Sequence, residues 1–277
     1  MIIAFKTSVD GVLLACSALK EHPECELIFA KSRKEMDRKL RFPGTGEDVM
    51  FLGFGRMYNT SELVKRTFKT NPTKLSPRDP GVARYIELAL RHRNMKPAEL
   101  VHMLAECKGD ANHLYCAKTR LARRCYTQMQ EVNRTIHSMC MFVRPEPVNG
   151  ILTARIDPKH DVSDIFCRWL SKKNPDLPVA VICKGKAWVG NGELAGLDRF
   201  MVVNPNILGK LDSKADDAEL EELWDVYYDS QMIESRRNKS LAKKVQPKYT
   251  GQLSKMAKKD RYKVERGIAN CTLESFT

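Results

Sequence analysis

No stretch of the sequence approaches the roughly 18 consecutive apolar residues of a membrane-spanning helix, although 43% of its 277 residues are hydrophobic. That absence excludes an integral helical membrane protein and leaves a chain long enough to bury a sizeable core. The first residues show neither the basic and apolar regions of a secretory signal nor the arginine- and serine-rich look of a transit peptide, so an intracellular location is expected. There is no Cys-x-x-Cys pair, and the nine cysteines are an odd number scattered through apolar stretches. A disulfide framework is therefore not expected; free thiols in a reducing compartment, cytoplasm or nucleus, are. Glycine-rich phosphate loops, internal repeats and low-complexity tracts are also missing. Acidic residues are in short supply, 34 against 47 Lys and Arg, for a formal net charge of +13.

The shortage of acids is local. From Glu234 to Arg266, twelve cations (Arg236, Arg237, Lys239, Lys243, Lys244, Lys248, Lys255, Lys258, Lys259, Arg261, Lys263 and Arg266) face three acids (Glu234, Asp260 and Glu265). The segment carries +9 and the remainder only +4. Charge concentrated in this way binds polyanions by neutralising phosphates and releasing their counterions. Tyr249 and Tyr262 lie among the lysines and offer rings for stacking on bases. Lys255 to Arg266 is helix-forming sequence that would lie along RNA, DNA or a ribonucleoprotein surface. A solvated tail that only aids solubility is the other reading of the same residues. Just before it, Asp216 to Asp229 reads as an acidic helix with Leu220, Leu223, Trp224 and Tyr227 as its apolar stripe, able to cover the basic segment when no ligand is bound.

The rest of the chain is organised around its first 22 residues. Ile2, Ile3, Ala4 and Phe5 form the short apolar run of a strand covered on both faces. Lys6 to Gly11 is a polar elbow, and Val12, Ala15, Cys16 and Leu19 follow at helical spacing. Further strands are expected at Glu26 to Ala30 and Asp48 to Phe54, with a charged helix from Arg33 to Leu40 between them. This alternation predicts an α/β fold with a parallel sheet. Right-handed crossovers would bring the elbow and the end of the third strand to one sheet edge, where ligands of such sheets bind. Asn71 to Pro80 reads as a proline-rich loop. Helices are expected at Gly81 to Arg93, Lys96 to Glu106 and, as one long element, Asn112 to Met139.

After Pro145, Pro147 and Gly150 a second, smaller α/β unit is expected. Its strands are Ile151 to Ile156, Val179 to Cys183 and Phe200 to Val203, and its helix is Val162 to Leu170. The expected organisation is a parallel-sheet domain over residues 1–110, a helical connector over 111–146, a smaller α/β domain over 147–208, and an acidic helix with a basic extension over 209–277.

The N-terminal strand, the Asp10-Gly11-Val12 elbow, and the strands at 26–30 and 48–54 together resemble the first half of the DHH phosphoesterase superfamily. The similarity covers about residues 1 to 205. It implies a parallel-sheet domain with clustered metal ligands, a helical connector and a smaller substrate-binding α/β domain. The family's first motif, of the type H-x-D-x-D-G, holds manganese or magnesium; here Lys6, Ser8 and Asp10 precede Gly11, so one ligand survives. Gly53 and Phe54 stand where the second motif has an aspartate. Lys69-Thr70-Asn71 falls near the place of the Asp-His-His motif, and the family's glycine- and histidine-rich substrate loop is missing. A two-metal site needs several anionic and imidazole ligands to hold cations about 3.5–4 Å apart. One aspartate cannot supply them, and no cofactor is expected.

Lys6, Thr7, Ser8 and Gly11 are read either as a vestigial phosphate site, with the Lys6 ammonium as a point charge, or as an ordinary strand-to-helix loop with Asp10 at the helix start. Cys107, His113, Cys116 and Cys125, with His137 and Cys140, include two His-x-x-Cys pairs at the helical spacing a zinc site would use. Thiols are among the most buried side chains, so core packing is the better account. Gly190-Asn191-Gly192 reads as a hairpin turn rather than a phosphate loop.

Together these features predict a catalytically degenerate DHH-like protein that binds nucleic acid or a nucleoprotein assembly. The alternatives are an active phosphodiesterase using manganese or magnesium, with Asp10, Asp48 and His113 to test first, and a structural subunit of a larger complex. The sequence assigns no oligomeric state and no membrane partner.

Overall fold

The computed structural model describes residues 1–40, 48–55, 58–68, 81–143 and 145–210. The chain divides into two compact units, Met1–Asn133 and Arg134–Thr277.

The first unit is built on a parallel sheet of three strands, β1 (Ile2–Lys6), β2 (Glu26–Ala30) and β3 (Val49–Leu52), in the order β2-β1-β3. The first strand is the central one, and its unbroken apolar run follows from that place: Ile2, Ile3, Ala4 and Phe5 are at most 1% exposed. Burying side chains of this size contributes about 1.5–3 kcal/mol each as an upper bound. Helix α1 (Val9–Glu21) covers one face and turns Val12, Leu13, Ala15, Cys16 and Leu19 inward. Helix α2 (Arg33–Leu40) covers the other, where Met36 meets Ala4 and Ala30.

Helices α3 (Thr60–Thr67), α4 (Gly81–Leu90) and α5 (Pro97–Glu106) pack beside α1. Asn59 caps α3 by accepting the Glu62 amide at 3.3 Å, and Pro97 opens α5 where its missing N–H costs nothing. The single long helix expected over 112–139 is instead two, α6 (Asn112–Cys116) and α7 (Arg120–Phe142). Ala117 turns left-handed at φ 47°, and Thr119 starts a new helix by accepting the Ala122 amide on its hydroxyl at 3.1 Å. The two-unit division falls within α7.

The second unit is a mixed sheet in the order β4-β5-β6-β7-β8, in which only β5 and β6 are parallel. The strands are β4 (Glu146–Val148), β5 (Ile151–Arg155), β6 (Val179–Cys183), β7 (Lys186–Gly190) and β8 (Phe200–Val203). Helix α8 (Ser163–Lys173) makes the crossover from β5 to β6 and lies over β6 and β7. The opposite face is lined by Ile151, Ala180, Ala187 and Val189, with Leu208 from a 3-10 segment at Pro205–Lys210.

Two of these strands were not anticipated. Strand β4 contains Pro147, which is tolerated because β4 is an edge strand. It joins β5 through Asn149-Gly150, both at positive φ (52° and 70°), a two-residue hairpin turn. Strand β7 is joined to β6 by Lys184-Gly185 in the same way, at φ 48° and 72°.

Candidate functional site

The elbow after β1 and the end of β3 meet at one edge of the parallel sheet, because β1 and β3 are parallel neighbours. The approach is backbone to backbone. Gly11 sits directly over the Lys6 carbonyl, into which a Cβ would collide. Gly53, at φ +77°, would bring a Cβ within 3.0 Å of the Gly11 Cα. Thr7 stays attached to the sheet, donating its amide to Ala30 at 2.8 Å. Ser8 caps α1 by accepting the Gly11 amide at 3.2 Å, so its hydroxyl is engaged within the loop. Val9 and Asp10 present first-turn amides that have no i−4 carbonyl to bond.

Asp10 stands at the positive end of the α1 dipole, where its carboxylate is stabilised. It also accepts a 2.6 Å hydrogen bond from the Thr60 hydroxyl at the start of α3. That bond ties α1 to α3. Lys6 is exposed. Asp48 lies at the other edge of the sheet, its carbonyl accepting the Ile2 amide at 2.8 Å. The length of β1, about 3.3 Å per residue, separates it from the elbow. His113, on α6, is 3.8 Å from Asp110. Among the described residues, Asp10 joins no group of three His, Cys, Asp or Glu side chains with ligand atoms within 4.8 Å of one another.

The same holds for the thiols and imidazoles at 107–140. Cys107 and Cys125 are core residues, Cys116 is exposed, and Cys107 donates to the Met103 carbonyl at 3.3 Å. Burial pushes the thiols of Cys16, Cys125 and Cys140 up to about 11 and those of Cys107 and Cys167 up to about 12. A metal ligand must be a thiolate, so these environments favour packing over coordination. A buried histidine beside a half-exposed glutamate went unremarked in the sequence. His92 Nδ1 accepts the Asn94 amide at 3.2 Å, which leaves Nε2 as the protonated nitrogen of the neutral ring, 3.4 Å from Glu131. Nothing local distinguishes His92 among six histidines.

Gly190, Asn191 and Gly192 form a structural latch within the β7–β8 connection. A Cβ at Gly190 would run into the Ser171 hydroxyl, and one at Gly192 into the Asp198 carbonyl. Asn191, at φ 53°, donates its side-chain amide to the carbonyls of Asn174 (2.8 Å), Leu177 (3.0 Å) and Ser171 (3.1 Å). With its side-chain N–H groups so engaged, that amide has none left for a phosphate. The acidic stretch at 216–229, all the cations and tyrosines of 234–266, and Lys69-Thr70-Asn71 lie outside the described residues.

A family model described as a domain of unknown function, DUF4130, matches residues 95–253, more than half of the chain. The match starts just before α5 and takes in the whole five-stranded sheet; the parallel sheet lies before it. No curated protein matches the chain. The crystal structure of an uncharacterized protein from Helicobacter pylori G27 is similar over 82% of this chain and 99% of its own, at 8% identity and a TM-score of 0.24. A likeness that slight carries no argument.

Proposed function

The chain belongs to the DUF4130 family, a membership that assigns no activity, and we propose that it binds nucleic acid or a nucleoprotein assembly, chiefly through residues 234–266. One observation carries this reading: those residues hold +9 of the net +13. Charge at that density is matched by a phosphate backbone, and Tyr249 and Tyr262 add rings that stack on bases.

Two features of the first unit support binding without hydrolysis. The Asp10 carboxylate is engaged by Thr60, and Asp48 stands at the far end of the sheet. In this proposal the first half is a DHH-like domain in which the Lys6-to-Gly11 elbow has become a structural joint, and neither manganese nor magnesium takes part.

The test is a comparison of the full chain with a version ending at residue 233, titrated with single-stranded and duplex oligonucleotides over a range of salt. If about five cations meet phosphates of a single strand, log K falls with log salt at a slope of roughly −3.5, from about −0.7 per contact. Truncation should flatten that slope and leave the melting temperature almost unchanged, since a solvated basic segment buries little apolar area. Equal affinity and equal slope in the two proteins would reduce the segment to a solubility device. Unfolding on truncation would reassign it to the core.

A further inference from the structure

The second unit presents a surface that the basic segment does not account for, on the α8 side of strands β7 and β8. Register fixes which side chains share it. Gly190 pairs with Val179 and Phe200, and Trp188 pairs with Val181 and Val202, so all six point to one face. Helix α8 closes that face over Gly190, where Ser171 leaves no room for a Cβ. Cys167 of α8 donates to the Trp188 carbonyl at 3.3 Å. Beyond the helix the cover stops: Trp188 and Phe200 are only half-buried, and Val202 is 50% exposed on an edge strand.

Cations gather at the uncovered part. The Arg168 guanidinium lies 4.0 Å from the centroid of the Phe200 ring. Lys172 stands one helical turn further along α8, and Lys186 lies two residues before Trp188, on the same face. Among the described residues none of these three makes an ion pair, whereas Arg33, Lys39, Arg66 and Arg91 of the first unit all do. The acids nearest in sequence are Asp164, one turn before Arg168 on α8, Asp176, four residues after Lys172, and Asp198, two residues before Phe200.

We infer that Trp188, Phe200 and Val202, flanked by Arg168, Lys172 and Lys186, form a ledge on which unpaired bases of single-stranded nucleic acid stack. The inference rests on the nucleic-acid reading above and gives it a contact on the folded part of the chain. Flat π-surfaces beside unpaired cations suit single strands, because bases meet the rings while phosphates meet the charges. A duplex hides its base faces in its own stack and has little use for such a ledge. The Arg168 plane on Phe200 extends the stacking surface rather than blocking it, since guanidinium planes also stack on bases.

The experiment uses the full chain and a twelve-residue oligothymidylate, alone and annealed to its complement, read by intrinsic tryptophan emission. The single strand should quench emission, and Trp188→Leu should abolish most of that quenching. Trp188→Leu and Phe200→Leu should each weaken single-strand binding about tenfold, the lower end of what loss of a stacked base costs. Arg168→Gln should reduce the salt slope by roughly 0.7. Val202→Glu, at an exposed position that tolerates a polar residue, places a negative charge on the ledge without threatening the fold, and should weaken binding as well.

Unchanged affinity in the Trp188, Phe200 and Val202 variants, with binding lost on truncation at residue 233, would overturn the ledge and leave the nucleic-acid reading standing. Tighter binding to duplex than to single strand would also overturn it. In a Trp224→Phe background, a change of tryptophan emission on removing residues 211–277, with no quenching by the oligonucleotide, would show the ledge to be covered by the chain's own continuation. No binding by the intact protein would sink both proposals.

Discussion

Replacing Asn191 separates the two reasons for its presence. Its backbone is left-handed, and its side-chain amide serves three carbonyls at 2.8, 3.0 and 3.1 Å. Asn191→Gly relieves the backbone and removes only the amide. Two N–H donors at about 1 kcal/mol net each give an expected loss of about 2 kcal/mol. Asn191→Ala removes the same bonds and also places a Cβ in the left-handed region without a polar group to compensate, which costs roughly 1–2 kcal/mol more. Asn191→Asp should be worst of the three, because it turns a carboxylate toward three carbonyl oxygens. The assay is urea unfolding of the full chain followed by tryptophan emission. Trp169 and Trp188 belong to the second unit, so in a Trp224→Phe background the signal reports on the unit that holds the latch. With an m-value of about 2 kcal/mol/M, the glycine variant should lose about 1 M in midpoint. A glycine variant within 0.5 M of the parent would mean the amide contributes little; an alanine variant as stable as the glycine one would refute the backbone half of the argument.

Other expectations concern the first unit and the thiols. Asp10→Ala should cost about 2 kcal/mol through the lost Thr60 bond and helix-dipole contact, and in a double-mutant cycle with Thr60→Val the two losses should not add. Millimolar manganese should leave the melting temperature of the intact protein unchanged; a rise that disappears in Asp10→Ala would revive the phosphodiesterase alternative. Tyr85 is fully buried and its hydroxyl has no hydrogen-bond partner among the described residues, so Tyr85→Phe should be neutral or stabilising by up to about 1 kcal/mol in thermal unfolding. The thiols raised by burial favour the protonated form in the folded chain, and their contribution to stability is complete below the unfolded pKa of about 8.5. It should fall away as pH rises toward about 11, while a thiol reagent at neutral pH labels exposed Cys116 readily and Cys16, Cys107, Cys125 and Cys167 only after unfolding.

Where a strand is buried on both faces, its apolar run gives it away: β1 and β6 were legible almost to the residue for this reason. The short strand β8 was legible as well, from the β-branched pair that closes it. Strand β4 was obscured by Pro147, although Asn149-Gly150 beside it is a strong hairpin signal. The break between α6 and α7 turned on Thr119 acting as a cap within a sequence whose helical periodicity runs straight through it. The juxtaposition of the elbow with Gly53 followed from the parallel pairing of β1 with β3. The Asp10–Thr60 bond did not, because it joins residues 50 positions apart through the packing of two helices. The alignment of Trp188 with Phe200 and Val202 likewise depends on the pairing register of β7 and β8, which no single strand reveals. Cys107 and Cys125 look like candidate ligands when counted along the chain, and like core filler once their burial is known.

The central place of β1 has a consequence for synthesis on the ribosome. A strand with neighbours on both sides that come later in the chain cannot be paired when it emerges. About twenty residues separate Lys6 from Glu26, and more than forty separate it from Val49. At some 5–20 residues per second, the first pairing waits about one to four seconds and the second roughly twice as long. During that time Ile2, Ile3, Ala4 and Phe5 stand in the nascent chain as an uncovered β-prone run with Lys6 as the charge that follows it. Yield in a heterologous host should therefore respond to slower elongation and to chaperones that hold nascent chains, in advance of anything that alters the stability of the finished fold.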